Sequence, residues 1–119
     1  MDAGKQQVLP DDYERNLRTI ALRLIQTGAK LVWATTTPVP EGELNPPRNF
    51  HDAPRYNAIA ARVMADEGVQ TDDLYSLVLP QEAAIRPPRD VHFTDQGYEV
   101  LARQVADFIR RSLPRQGAR

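Results

Sequence analysis

Apolar positions recur at helical spacing in three stretches of this chain. Tyr13, Leu17, Ile20, Ala21 and Leu24 share one face, and Tyr56, Ile59, Ala60, Val63 and Met64 share another. Tyr98, Leu101, Ala102, Val105, Phe108, Ile109 and Leu113 form the clearest stripe. Each stretch carries start and stop signals. Pro10 suits a first helical turn, Asp11, Asp12 and Glu14 favour the positive end of the helix dipole, and Gly28 reads as the stop. Pro54 opens the second stretch and Gly68 ends it. Thr94 is a good N-cap with Asp95 in the first turn, and Pro114 closes the third.

Between the helices the period changes. Leu31-Val32-Trp33-Ala34 is a short apolar run without polar alternation, which predicts a strand covered on both faces, the parallel-sheet type. Pro38 to Asp52 reads as a long loop, rich in proline and asparagine, of the kind that is often functional at a strand end. Val69 to Tyr75 is a short strand candidate, and Leu77 to Pro88 reads as a brief helix followed by an irregular segment. Residues 1–9 and 114–119 are polar and are expected to be flexible. Alternating helices and strands argue for a three-layer α/β/α architecture with a parallel sheet. Two strands do not cover three amphipathic helices, so apolar surface is expected to remain open, as in the C-terminal portion of a larger domain.

Composition narrows the function classes. The chain has 119 residues, room for one domain at most. A net charge of −1 offers no bulk field for nucleic acid or an anionic membrane. The basic C-terminal third (Arg86, Arg89, Arg110, Arg111, Arg115 and Arg119) reads as a solvated surface, since no interleaved aromatics or recognised module accompany it. No apolar run is long enough to cross a bilayer, and the first residues form no secretory apolar region. Cysteine is absent, which excludes disulfides and thiolate chemistry and leaves the compartment open. No cofactor is implied.

The chemistry concentrates in Arg89-Asp90-Val91-His92-Phe93-Thr94-Asp95-Gln96-Gly97-Tyr98, on a loop entering the last helix. A histidine base needs one ring nitrogen facing the reacting group and the other held by an acceptor, and Asp90 stands two residues from His92. In an extended segment that spacing puts both side chains on one side. Alone, the triplet also reads as a loop cap beside a solvated histidine. Its place before a helix, in an α/β pattern, favours catalysis, because catalytic groups gather on loops at strand C-termini. A metal cluster of His51, Asp52, Asp90 and His92 matches no zinc spacing. Tyr56, Tyr98 and Trp33 read as core, with the indole N–H of Trp33 in need of a partner.

The block from Arg89 through Glu99-Val100-Leu101-Ala102 resembles the last conserved block of the SGNH (GDSL-type) hydrolases, with its His-Phe-Thr-x-x-Gly-Tyr phrase followed by a Leu-Ala helix. Gly28-Ala29-Lys30-Leu31-Val32-Trp33-Ala34-Thr35-Thr36-Thr37-Pro38-Val39-Pro40 is similar to the strand and loop that precede that block among acetylesterase-like members. Asp73-Leu74-Tyr75 is similar to the next strand end, so the likeness runs from about Leu9 to Leu113. The resemblance implies a flavodoxin-like fold and a Ser-His-Asp esterase on acyl or acetyl esters, carbohydrate esters among them. In that frame His92 is the general base and Asp90 its orienter.

Two departures stand out. The family places its Asp three residues before the His, where this chain has Arg89. The family's Gly-Asp-Ser motif, and the Gly and Asn blocks that complete its oxyanion hole, do not occur here. Ser76 and Ser112 are the only serines, and neither sits in a glycine-flanked elbow. Asn45, Asn49 and Asn57 lack the Gly-x-Asn-Asp setting of an oxyanion donor. The resemblance implies that Met1 falls just after the family's Asn block, so residues 1–119 are expected to be the C-terminal part of a single hydrolase domain, nearly inactive when isolated. The competing expectation is a non-catalytic α/β module that self-associates or pairs through an open sheet edge.

Overall fold

The computed structural model of the protein describes residues 8–39, 52–87, 90 and 92–113. Helix α1 spans Pro10–Ile25, with Pro10 in its first turn and Asp11 and Asp12 at its positive end. Leu9 begins it: the amide of Tyr13 donates to the Leu9 carbonyl at 2.8 Å. Val8 accepts the Tyr56 hydroxyl. Gly28 follows the helix at φ 80°, a left-handed conformation that a side chain would strain. Strand β1 covers Val32–Ala34 and helix α2 covers Asp52–Glu67. Gly68 ends α2 at φ 72°, and the Val69 amide donates back to Met64 O at 2.9 Å.

Strand β2 is Gln70–Asp72, shorter than the Val69–Tyr75 segment that the sequence suggests. Asp73 is the reason. Its carboxylate accepts the Ser76 amide at 3.1 Å and caps helix α3, Leu74–Val78. A 3-10 turn at Leu79–Gln81 leads to the short helix α4, Glu82–Ile85, so the brief helix expected within Leu77 to Pro88 follows a turn rather than starting the segment. Helix α5, Asp95–Ser112, begins at Thr94, whose hydroxyl accepts the Gly97 amide at 3.1 Å.

The two strands are parallel, with Val32 opposite Gln70, Trp33 opposite Thr71 and Ala34 opposite Asp72. Strand parity sorts the helices into layers. Trp33 and Val69 pack against a core of Leu17, Ala21, Ala60, Val63 and Met64 between α1 and α2. Asp72 has the opposite parity to Thr71, and its carboxylate, 1% exposed, accepts the Gln104 amide of α5 at 2.9 Å. Helices therefore cover both faces of the sheet, the three-layer arrangement expected from the element order.

Ala21 and Ala60 are 2% and 0% exposed, and their small size lets α1 and α2 approach closely. Arg18 fastens the same contact from outside, donating to Glu67 at 3.0 Å, Asp66 at 3.2 Å and Glu14 at 3.4 Å. The other flank of α1 is open, with Ile20 53% and Leu24 47% exposed. Together with Leu31, Val32, Trp33, Val69 and the core residue Met64 they line an apolar hollow of about 80 Å³. The Trp33 indole N–H has no hydrogen-bond partner among the described residues. The α5 stripe is less buried than its pattern suggests: Tyr98 and Ile109 are exposed, and Gly97 is the buried residue of that helix among those described. No described helix is long and apolar enough to cross a membrane.

Candidate active site

Asp90 and His92 meet. The His92 Nδ1 lies 2.8 Å from Asp90 Oδ1. The contact is not made by side-chain alternation along an extended strand, as the spacing suggests. Instead Asp90 Oδ1 also accepts the backbone N–H of His92 at 2.9 Å, an Asx turn in which a carboxylate bends the chain toward the residue two positions on. The turn brings a carboxylate spaced by two into contact with the ring. It also leaves Nε2 as the open nitrogen, since neither Nε2 nor the rest of the ring has another hydrogen-bond partner among the described residues.

Both side chains face solvent, 75% exposed for His92 and 44% for Asp90. The carboxyl of Asp90 is held below its ordinary value of 3.8. The backbone N–H of His92 is the first cause, then its ring N–H, with smaller help from the charges of His92 and Arg86. Asp90 is thus a stable acceptor near neutral pH. A contact this exposed is screened by solvent and does not hold the ring rigidly by itself.

The loop is placed by its neighbours. Thr94 donates both its amide, at 3.0 Å, and its hydroxyl, at 3.1 Å, to Ile85 O. Gly97 lets α5 approach α4: a Cβ at that position would stand 2.2 Å from Ile85 O. On the other side, Arg86 stacks on the Phe93 ring, 4.1 Å from guanidinium carbon to centroid. Arg86 also bonds Pro38 O and Thr37 Oγ1, just beyond the C-terminal end of β1. These contacts set the Asp90–His92 loop at the carboxyl end of the sheet, where ligands bind in open α/β folds.

Other candidates fall elsewhere. Ser76 Oγ donates to Asp73 Oδ2 at 2.6 Å, within the cap of α3. Ser112 donates to Phe108 O at 2.7 Å near the far end of α5. Asn57 pairs twice with the Thr36 backbone, accepting its amide at 2.9 Å and donating to its carbonyl at 2.8 Å, so it extends the β1 edge. His51, Asn45, Asn49, Arg89, Arg115 and Arg119 lie outside the described residues. No three His, Asp or Glu side chains come together among the described residues in a way that could hold a metal ion.

Tyr56 is half-buried and stacks edge-on against Tyr13 with ring centroids 4.9 Å apart, beside the core rather than in it. Tyr98 does not fit the core reading, since it is 48% exposed and touches Phe93 edge-on at 5.7 Å. Arg86 is the larger correction. Composition placed it on a solvated basic surface, yet the residue is 5% exposed. The readable signal was Glu82, four residues earlier, whose carboxylate accepts Arg86 Nη1 at 2.8 Å.

The GDSL-like lipase/acylhydrolase family model matches residues 2–100, which includes the Asp90–His92 loop and the first turn of α5. The fold is similar to the crystal structure of the lipase/acylhydrolase from Enterococcus faecalis, with a TM-score of 0.72 at 23% identity. That likeness covers 94% of this chain and 57% of the other, so the chain spans little more than half the length of that structure. No curated protein matches the sequence significantly. With most of its length matched by the family model and an Asp–His pair on the loop before α5, this chain belongs to the GDSL-like lipase/acylhydrolase family.

Proposed function

We propose that this chain carries the acid–base half of an ester hydrolase, with His92 as general base and Asp90 as its orienter. The observation that supports it most is the double use of Asp90 Oδ1, which binds both the amide and Nδ1 of His92 and leaves Nε2 open. In the reaction, Nε2 removes the proton of a hydroxyl as its oxygen bonds to the acyl carbon. The imidazolium then gives that proton to the departing alcohol. A water attacks the acyl intermediate by the same route, and the acid leaves. The hydroxyl and the oxyanion donors come from outside these 119 residues. The substrates are acyl or acetyl esters, with acetylated carbohydrates as one class.

The test is hydrolysis of p-nitrophenyl acetate by the 119-residue chain and by a form extended with upstream residues. The chain alone is expected to turn over no faster than free imidazole. The extended form is expected to be active and to lose on the order of 10²–10⁴ in kcat with His92→Ala. An extended form whose activity is indifferent to His92→Ala would sink the reading.

A second reading is an association module that self-associates through the outer edge of β1. The open flank of α1, the apolar hollow and the unpartnered Trp33 N–H favour it. Sedimentation of a stable monomer across a wide concentration range would remove that option.

A further inference from the structure

We infer that Arg86 is the positioning residue of the Asp90–His92 pair: its buried guanidinium clamps the loop after β1 to the face of Phe93 and so fixes the backbone from which His92 projects. The inference rests on the acid–base reading of that pair. It begins from a deficit. A contact between two side chains this exposed does not by itself keep the imidazole on its partner, so the orientation must come from the backbone.

Phe93 is the residue that follows His92, and one face of its ring lies 4.1 Å from the Arg86 guanidinium carbon. The Arg86 side chain is 2% exposed. Nη1 donates to Pro38 O and to Glu82 Oε2, and Nη2 donates to Thr37 Oγ1 at 3.4 Å. One planar group therefore joins three places: the chain beyond β1, helix α4 and the His92 loop. On the far side of Phe93, Thr94 is fixed to Ile85 O by two hydrogen bonds. His92 projects from a segment held just behind it, on Phe93 and on Thr94, while its own ring stays open.

Stability alone does not explain a guanidinium here. Replacing a buried ion pair with apolar groups of similar volume is often neutral or stabilising. Arg86 also bears a visible penalty: its Nε is buried without a partner among the described residues, and burial pushes its pKa down. Glu82, Asp90 and Tyr98 act on it in the opposite direction. A lysine would keep the charge but lose both the fork and the flat face on the ring.

The test reads where the His92 ring carries its proton. Long-range 1H–15N NMR on the 15N-labelled full chain reports this directly, with His51→Gln to assign the only other histidine. The wild-type neutral ring is expected to be protonated on Nδ1, facing Asp90, with Nε2 bare. In Arg86→Met and Arg86→Lys the ratio of Nδ1–H to Nε2–H forms is expected to fall about two- to fivefold, as the Nδ1–H hydrogen bond to Asp90 loses its preferred geometry. An unchanged ratio in folded Arg86→Met, or full rescue by lysine, overturns the inference. If circular dichroism shows that Arg86→Met does not fold, Phe93→Leu removes the stack and decides on the same ratio. The esterase assay separates the two levels. A shifted ratio with no activity in the extended protein sinks the hydrolase reading and leaves Arg86 in its role. Activity with an unchanged ratio does the reverse.

Discussion

The α1–α2 side of the molecule and the His92 end are built on opposite terms. Between α1 and α2, small and branched side chains are buried almost completely, and Arg18 ties three carboxylates across the outside. At the His92 end the pair of interest is exposed, and the burial sits one step behind it, in Arg86, Ile85 and Gly97. The first region holds the fold together by removing apolar surface from water. The second presents a titratable ring and spends its packing on the backbone that carries it. Substitutions in the two regions should therefore separate stability from chemistry.

The largest separation comes from His92→Ala. It should remove on the order of 10²–10⁴ in kcat from an active, extended form, while the urea midpoint of the 119-residue chain moves by no more than the equivalent of about 0.5 kcal/mol. Leu17→Ala should do the opposite. Leu17 is 7% exposed in the core, so its truncation should cost about 2–5 kcal/mol in urea denaturation with the His92 NMR signals unmoved. If Leu17→Ala also shifts the ring tautomer, the two regions are not independent.

Gly97→Ala probes the junction between them. Its Cβ meets a backbone carbonyl, which has no rotamer to yield, so about 1–3 kcal/mol of stability should be lost, with a displaced α5 start changing the His92 signals. Thr94→Ala removes the cap of α5 and should cost about 1 kcal/mol in the same denaturation. A Gly97→Ala chain as stable as wild type would mean that α5 does not press on Ile85.

The smallest effect is a pH effect at Asp90. Its folded pKa lies below 3.8, so whatever it adds to stability is complete above that value and is lost as pH falls through the folded pKa. Because the first cause of the depression is the His92 backbone N–H, the carboxyl should still titrate below 3.8 in His92→Ala, measured by 13C NMR of the carboxylate. A return to the ordinary value there would show that the ring, not the turn, governs Asp90.

Much of this was legible in the residues. Three helices stood out because their apolar positions repeat at the helical period and their ends carry Pro10, Gly28, Pro54, Gly68 and Thr94, whose effects are local. The strand at β2 was overextended because Asp73 could serve either a strand end or a helix cap, and only its bond to the Ser76 amide decides. Asp90 and His92 were visible as a pair, though the Asx turn that joins them was not, since spacing alone does not say which way a carboxylate bends the chain.

By itself the sequence determined the periods, the caps and the presence of an acid beside a base near one helix start, because each depends on residues within a turn or two of one another. Only the tertiary structure decided that Arg86 leaves the surface to lie under Phe93, that Asn57 extends the edge of β1, and that Gly97 exists to admit a carbonyl from α4. Those contacts join separate elements rather than neighbours within one turn, and composition carries no record of which buried partner a charged or small side chain will meet.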